Sequence, residues 1–184
     1  MGLDQYLTAN VYVGAKWHKV KQNCLEVDNG FFTGQEKDIA DFKDCKVLPT
    51  HNISHIIYDV GYWRKVNWVH KWFVDNVQSG NDDCEEYVVD EKQLDELYNL
   101  CGEILDFNFN IGLKDSKHTK EDLMELIKNK LPPQDGFFFG GTDLTDANEL
   151  EYYLDSLVDT RCFIDTARQY IKKFGATIYY QSSW

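Results

Sequence analysis

The chain has 184 residues, of which 43% are hydrophobic and 15% aromatic, a size and composition typical of one domain with a substantial core. Its formal net charge is −12. Residues 1–80 contain 9 of the 19 basic and 9 of the 31 acidic side chains, so the whole acidic excess lies in residues 81–184. This charge argues against direct binding to nucleic acid, which needs a cationic surface. An acidic half promotes solubility, or it forms a face that meets a basic partner or imitates a nucleic-acid backbone.

The sequence also bears on the compartment. Uncharged apolar runs span only a few residues, too few for a membrane helix. The start, Met1–Leu7, lacks the basic residues and apolar run of a signal peptide. The 5 cysteines are odd in number and show no paired spacing, which indicates reduced thiols. We therefore expect a cytoplasmic protein without membrane association.

The first third of the chain contains three predicted elements. Residues 5–13 alternate between apolar and polar side chains, which predicts a strand near the middle of a sheet. Residues 19–27 are a second candidate strand. A short helix is predicted from Thr50 to Gly61, because four aliphatic residues in it fall on one helical face: Ile53, Ile56, Ile57 and Val60.

A central amphipathic helix is predicted at about residues 62–78. Its apolar face repeats at spacings of three and four residues: Trp63, Val66, His70, Phe73 and Val77. Trp68 and Trp72 fall on the opposite side of this helix. A helix with large aromatic side chains on both sides is normally covered on both, so we expect it to lie centrally.

The remaining elements follow from start and stop signals. Strands are predicted at residues 86–89, 137–139 and 177–181. One helix is predicted to begin after Asp90, which forms a capping box with Gln93, and a second after Thr119. A third helix is predicted from about Ala147 to Lys173, and Gly175 ends it. Strands near both termini with helices between them predict the α+β class. We expect a single domain of residues 1–184, with a mixed or antiparallel sheet and helices packed on it.

His70 and Asn67 are the candidate catalytic pair, since both project toward the apolar face of the central helix. A buried imidazole needs a hydrogen-bond partner, which Asn67 can supply from one helical turn away. His70 is then either a general acid or base at the floor of a pocket, or a satisfied core histidine.

Four residues on the other face of that helix are a candidate ligand-binding surface: Arg64, Trp68, Lys71 and Trp72. An arginine binds phosphate through two hydrogen bonds and a base stacks on an indole, so the set suits a small anionic ligand such as a nucleotide. The alternative is a covered face in which Arg64 and Lys71 pair with carboxylates such as Asp75.

Gly140, Gly141 and Thr142 lie between a predicted strand and a predicted helix, a place where backbone amides bind anions. The spacing is not that of a phosphate-binding loop, and a tight turn explains the two glycines equally well.

His51, His55 and Asp59 have the four-residue spacing that places metal ligands on one helical face. A solvated polar face is the competing interpretation. The sequence motifs identify no cofactor.

Three segments carry a resemblance: Met1-Gly2-Leu3-Asp4-x-Tyr6-Leu7, the run from Gly61 to Gln78, and Tyr179-Tyr180-Gln181-Ser182-Ser183-Trp184. Together they resemble a family of proteins encoded by bacteriophages and by bacterial genomes that carry prophages, with no established activity. The resemblance implies an accessory protein made in the host cytoplasm during infection.

Three functions remain open from the sequence. The first is an accessory protein that captures a host-side molecule without turnover, either a small phosphate-bearing ligand or a host protein. The second is a small hydrolase or transferase acting on a nucleotide, with His70 as acid or base and Arg64 holding phosphate. The third is an acidic nucleic-acid mimic, in which Asp155 and Asp159 contribute to partner binding, or an assembly protein.

Overall fold

A computed structural model describes residues 2–12, 55–113, 117–136 and 140–184. The predicted strands at residues 19–27 and 137–139 lie outside these ranges. Contacts divide the chain into two compact units, Met1–Asn10 with Ile57–Trp184, and Val11–Ile56. In the described part of the second unit, the rings of Tyr12 and His55 lie with centroids 5.0 Å apart. The prediction of one domain over residues 1–184 stays a prediction.

The described residues form an α+β fold with four strands and four helices. The strands are β1 (Asp4–Tyr12), β2 (His55–Arg64), β3 (Tyr87–Val89) and β4 (Thr177–Ser183), and the helices are α1 (Asn67–Asn76), α2 (Glu91–Ile111), α3 (Lys120–Lys130) and α4 (Ala147–Phe174). No helix in the described ranges combines the length and apolar content needed to traverse a bilayer.

The strands are ordered β2-β1-β4-β3 in one sheet, and β4 pairs antiparallel with both β1 and β3. The predicted interior position of the first strand is therefore confirmed. The β1–β4 register runs from Asp4 opposite Ser183 to Asn10 opposite Thr177. Because successive side chains of a strand point to opposite faces, one face is buried and the other, which carries Tyr6 and Tyr62, is exposed.

Helices α1 and α4 pack on the buried face of the sheet. The ring of Phe73 in α1 stacks on that of Tyr180 in β4, with centroids 3.8 Å apart. The indole of Trp63 in β2 donates through Nε1 to Thr160 Oγ1 of α4 at 2.9 Å. Gly61 allows this close approach, since a Cβ there would lie 2.8 Å from atoms of Phe163.

The ends of the three longer helices follow their predicted signals. Asp90 and Gln93 form the expected capping box of α2, and Thr119 caps α3 together with Asp122. Asp146 caps α4, and Gly175 ends it in the left-handed conformation with φ 64°. Helix α4 covers the predicted range of residues 147–173.

Two predictions in the middle of the chain are wrong. Residues 55–64 form strand β2, not the second half of a helix from Thr50 to Gly61. Residues 62–64 belong to that strand, so the central helix begins at Asn67 and ends at Asn76 instead of spanning residues 62–78. Lys65 separates the two elements, because its φ of 60° lies in the left-handed region and its N–H donates to Leu3 O.

Candidate functional site

His70 lies on the buried side of α1 and has no exposed surface. Its Nδ1 is 2.8 Å from the Tyr180 hydroxyl, and its Nε2 is 3.0 Å from Asp82 Oδ2. The partner of its Nδ1 is therefore a residue 110 positions away in the chain. We call the connected set of Gln5, His70, Asp82, Tyr180 and Trp184 the His70 network.

The hydrogen bonds of the network continue beyond these first partners. The Tyr180 hydroxyl lies 3.0 Å from Gln5 Oε1, and Gln5 Nε2 donates to Val66 O at 3.1 Å. On the other side, Trp184 Nε1 donates to Asp82 Oδ1 at 3.0 Å. The network thus connects strands β1 and β4, helix α1, the segment after α1 and the final residue of the chain.

The register of the sheet brings Gln5 and Tyr180 together. Tyr180 is opposite Leu7, and Gln5 is opposite Ser182, so the two residues are diagonal neighbours on the buried face. Burial, reinforced by the nearby Asp82 carboxylate, raises the pKa of Tyr180 well above its usual value. Tyr180 is accordingly a neutral phenol with one proton to donate.

The single Tyr180 proton restricts where the protons of His70 lie. The Asp82 carboxylate accepts and does not donate, so His70 Nε2 carries a hydrogen toward it. In a neutral imidazole, Nδ1 is then an acceptor and takes the Tyr180 proton. In an imidazolium, Nδ1 is a donor and the Tyr180 proton goes to Gln5. The two states of the ring therefore differ in the direction of the Tyr180 hydrogen bond.

Asn67 does not partner His70. Its Nδ2 donates to Thr142 Oγ1 at 3.3 Å, and its Oδ1 accepts from the Gln134 N–H at 3.0 Å. Asn67 therefore ties the start of α1 to two loops. The predicted pairing with His70 is wrong because both ring nitrogens are engaged by residues from distant segments.

Trp68 and Trp72 are buried, with 1% and 8% of their surfaces exposed. Trp68 Nε1 donates to Ser156 Oγ at 3.0 Å, and its ring contacts that of Tyr153 with centroids 4.6 Å apart. An indole covered on this side by α4 has no free face for a base. The described residues thus follow the covered-face interpretation for both tryptophans, not the ligand-stacking one.

The two basic residues of the predicted ligand surface differ in exposure, since Arg64 is exposed and Lys71 is half-buried. Arg64 ends strand β2, and its carbonyl oxygen accepts from the Tyr152 hydroxyl at 2.5 Å. Lys71 Nζ donates to Asp75 Oδ2 at 2.7 Å, one helical turn away. This ion pair is the one expected for a solvated helix face.

Gly140, Gly141 and Thr142 lie in a loop surrounded by carboxylates. Gly140 has a φ of 77°, and its N–H donates to Gly136 O at 3.0 Å. The Asp143 N–H donates to Glu149, and Asp146 accepts from the first amides of α4. Because these amides already bind carboxylates, the loop and helix start give little support to the predicted anion site.

The metal interpretation of His51, His55 and Asp59 required a helix. His51 lies outside the described residues, and His55 and Asp59 are exposed on strand β2. Positions four apart in a strand are separated by about 13 Å, too far for two ligands of one ion. No group of three potential metal-binding side chains occurs in the described residues.

Helix α4 presents an acidic surface on its outer side. Glu151, Asp155 and Asp159 are exposed at four-residue spacing, and none of them forms an ion pair within the described residues. Tyr152 and Val158 add apolar surface, with 47% and 48% exposed. We call these five residues the acidic face.

Sequence reasoning missed four members of the His70 network: Gln5, Asp82, Tyr180 and Trp184. One signal was available for Gln5, which occupies a position otherwise filled by buried apolar residues such as Leu3, Leu7 and Ala9. A polar residue at an apolar position of a strand indicates a buried hydrogen bond. No local pattern connects Asp82 or Trp184 to His70.

Comparison of the chain with protein-family models, with curated proteins and with solved structures found no match.

Proposed function

We propose that this protein is a binding protein that captures a partner protein without turnover, and that the partner docks a basic surface on the acidic face of α4. The observation that carries the proposal is the exposure of Glu151, Asp155 and Asp159 on one side of a helix, without ion pairs among the described residues. Carboxylates left in solvent in this way are available to an incoming cationic surface.

The spacing of these carboxylates supports the proposal. Residues four apart in a helix are about 6 Å apart along its axis, and like charges at that spacing destabilise a helix by a few tenths of a kcal/mol per pair. The helix thus retains a small repulsion that does not stabilise the fold. Electrostatic attraction to a basic partner would accelerate association, most strongly at low salt.

The apolar residues of the acidic face add a second component. Tyr152 and Val158 lie beside the carboxylates, with about half of each side chain exposed. Protein interfaces combine apolar and polar side chains, and tyrosine is enriched in them. A protein partner fits this composition better than a small phosphate-bearing ligand, which the negative charge repels.

The resemblance to bacteriophage and prophage proteins supplies the proposed setting. In that setting the protein acts in the cytoplasm of a bacterial host, and its partner is a host protein. The net charge of −12 favours a nucleic-acid-binding or otherwise basic host protein as the target. A nucleic-acid mimic is one form of this proposal.

Charge-neutral variants test the proposal. Asp155→Asn with Asp159→Asn removes two charges from the acidic face, and Asp106→Asn with Glu125→Gln removes two exposed charges from α2 and α3 as the matched control. Partners captured from a bacterial lysate are identified by quantitative mass spectrometry and then purified for calorimetric titration. We expect the affinity to fall in the first variant and to weaken with salt for the wild type and the control. Equal affinity of both variants for the partner would contradict the proposal.

A second candidate, a small hydrolase or transferase, is favoured by one observation. Asp82, His70 and Tyr180 form a hydrogen-bonded series in which a carboxylate orients an imidazole, as in acid–base catalysis. Both ring nitrogens are occupied, however, so a substrate would first have to displace Asp82 from Nε2. Turnover of nucleoside triphosphates or phosphodiesters by the wild type, lost in a folded His70→Gln variant, would favour the enzyme. Turnover that persists in that variant would remove His70 from the mechanism.

A further inference from the structure

The segment between α1 and β3 lies next to the His70 network and has unusual backbone conformations. We call Ser79–Glu86 the strap. Ser79, Gly80 and Cys84 have φ values of 56°, 85° and 61°, in the left-handed region. Ser79 and Cys84 carry a Cβ that disfavours this region, so the strap holds conformational strain.

Asp82 in the strap separates His70 from solvent. The His70 side chain has 0% exposure, whereas that of Asp82 has 26%. One carboxylate oxygen meets His70 Nε2, and the other accepts from Trp184 Nε1. The Asp82 carboxylate therefore lies between Nε2 of His70 and the exposed Trp184 indole.

Surface hydrogen bonds fasten the strap to the end of the chain. Trp184 donates to Asp82 at 3.0 Å, and Gln181 Nε2 donates to Cys84 O at 3.0 Å. Both donors are exposed residues, so water can replace them at small cost. The bonds on the other side of His70, from Tyr180 to Gln5 and from Gln5 to Val66, are buried and costly to break.

We propose that the strap is a lid that opens locally, carries Asp82 away and exposes Nε2 of His70, while Tyr180 keeps Nδ1 fixed. Strain in the strap and the exposed bonds to Gln181 and Trp184 make this local opening easier than global unfolding, although the buried Gln78 side chain also donates from Nε2 to Asn81 O at 2.8 Å. The strap contains none of the α4 residues on which the proposed function rests. Opening of the strap therefore makes His70, which is inaccessible to solvent in the closed state, accessible to solvent and small reagents.

Two glycines give a matched test of the lid. Gly80 in the strap and Gly175 at the end of α4 both have positive φ, 85° and 64°, and a Cβ at either would meet nothing within 4 Å. Alanine at each position therefore adds the same kind of backbone strain without a clash. Gly80→Ala strains the lid, whereas Gly175→Ala strains the protein elsewhere.

The measurement is the rate at which diethylpyrocarbonate modifies His70 in the folded protein, mapped by peptide mass spectrometry, with exposed His118 as an internal reference. We expect Gly80→Ala to accelerate His70 modification at least about fivefold and Gly175→Ala to leave it within about twofold of the wild type. Equal acceleration by both variants would mean that His70 is reached through global unfolding, and no acceleration by Gly80→Ala would mean that the strap does not control access. Either result overturns the lid.

A second pair of variants tests the fastening. Trp184→Phe removes the Nε1 donor to Asp82, and Tyr62→Phe removes another surface hydrogen bond to a carboxylate, that to Asp4 Oδ1. The first variant should accelerate His70 modification about fivefold and the second should not. Amide exchange of the strap, followed in the same samples, should rise with His70 modification while the exchange of α4 stays unchanged. If the amide exchange of the strap were unchanged in Trp184→Phe, the hydrogen bond from Trp184 to Asp82 would not hold the strap closed.

Discussion

The His70 network and the acidic face of α4 both consist of polar and ionisable side chains, but they are held in opposite ways. In the network, a histidine with no exposed surface has a partner at each ring nitrogen. On the acidic face, Glu151, Asp155 and Asp159 remain in solvent without an ion pair among the described residues. Burial makes the hydrogen bonds of Gln5 and Tyr180 expensive to lose, whereas exposure leaves a charge free for a partner at little cost to stability.

The reactivity of two cysteines should show the largest effect of this difference between buried and exposed groups. Burial, partly offset by Arg161, raises the pKa of Cys101 to about 12, whereas Cys162 is exposed on α4. At about pH 8, we expect iodoacetamide to alkylate Cys101 at least about a thousandfold more slowly in the folded than in the unfolded protein, because the thiolate is the nucleophile.

Peptide mapping after timed alkylation gives the rates, and Cys162 is the reference that should react early in the folded protein.

The raised pKa of Cys101 also predicts a pH dependence of stability. Below pH 9.0 the thiol is protonated in both states, and above it the unfolded chain loses a proton that the folded one retains until about pH 12. The free energy of unfolding should therefore decline across this interval because of Cys101. Cys101→Ala should lack this part of the decline. Alkylation of Cys101 as fast as Cys162 would contradict the buried placement.

Removing the centre of the His70 network should cause the largest loss of stability. His70→Ala removes one of the hydrogen-bond partners of the Tyr180 hydroxyl and of the Asp82 carboxylate and opens a cavity. We expect the free energy of unfolding to fall by about 3 kcal/mol, measured by chemical denaturation. The exposed His118→Ala, the matched control, should change it by no more than about 0.5 kcal/mol. Equal stability of the two variants would show that the buried histidine stabilises the fold no more than an exposed one does.

Two adjacent residues of α4 that differ in burial sharpen the comparison within one helix. Ser156 is buried and accepts from Trp68 Nε1, while its neighbour Asp155 is exposed. Ser156→Ala should lower the free energy of unfolding by about 1–3 kcal/mol, because it leaves the indole N–H unpaired in the core. Denaturation of Ser156→Ala and of Asp155→Asn under the same conditions measures the difference. A loss as large in Asp155→Asn would show that both sides of the helix are packed.

The smallest effect on stability is expected on the acidic face itself. Asp155→Asn with Asp159→Asn removes a like-charge pair at four-residue spacing, so stability should rise by a few tenths of a kcal/mol at low salt and less at high salt. Denaturation at two salt concentrations gives both values. A clear loss of stability would mean that these carboxylates hold the fold together, which would weaken their assignment to a partner.

Much of the secondary structure was predictable because its signals are local. The alternation in β1 and the capping boxes at Asp90 and Thr119 depend on side chains two or three residues apart. The helix predicted over Thr50–Gly61 failed because aliphatic residues spaced by three and four also occur in a strand. In β2, the consecutive burial of Val60 and Gly61 interrupts the alternation that would have indicated a strand.

The candidate site was predictable only in part. The helical pattern correctly placed His70 on a buried face, and the acidic character of residues 81–184 was visible in the sequence. The aromatic residues on both sides of the central helix predicted that Trp68 is covered, but they did not identify the element that covers it. Its cover is α4, whose Ser156 lies 88 positions further along the chain.

The sequence by itself determined where most elements begin and end, because caps, turns and side-chain periodicity act over a few residues. Only the tertiary structure decided which polar groups from distant segments are partnered. The hydrogen bond between Gln5 and Tyr180 spans 175 positions, and that between Asp82 and Trp184 spans 102. Such pairs form when the sheet register and helix packing bring distant segments together, and burial then makes the partnership energetically necessary.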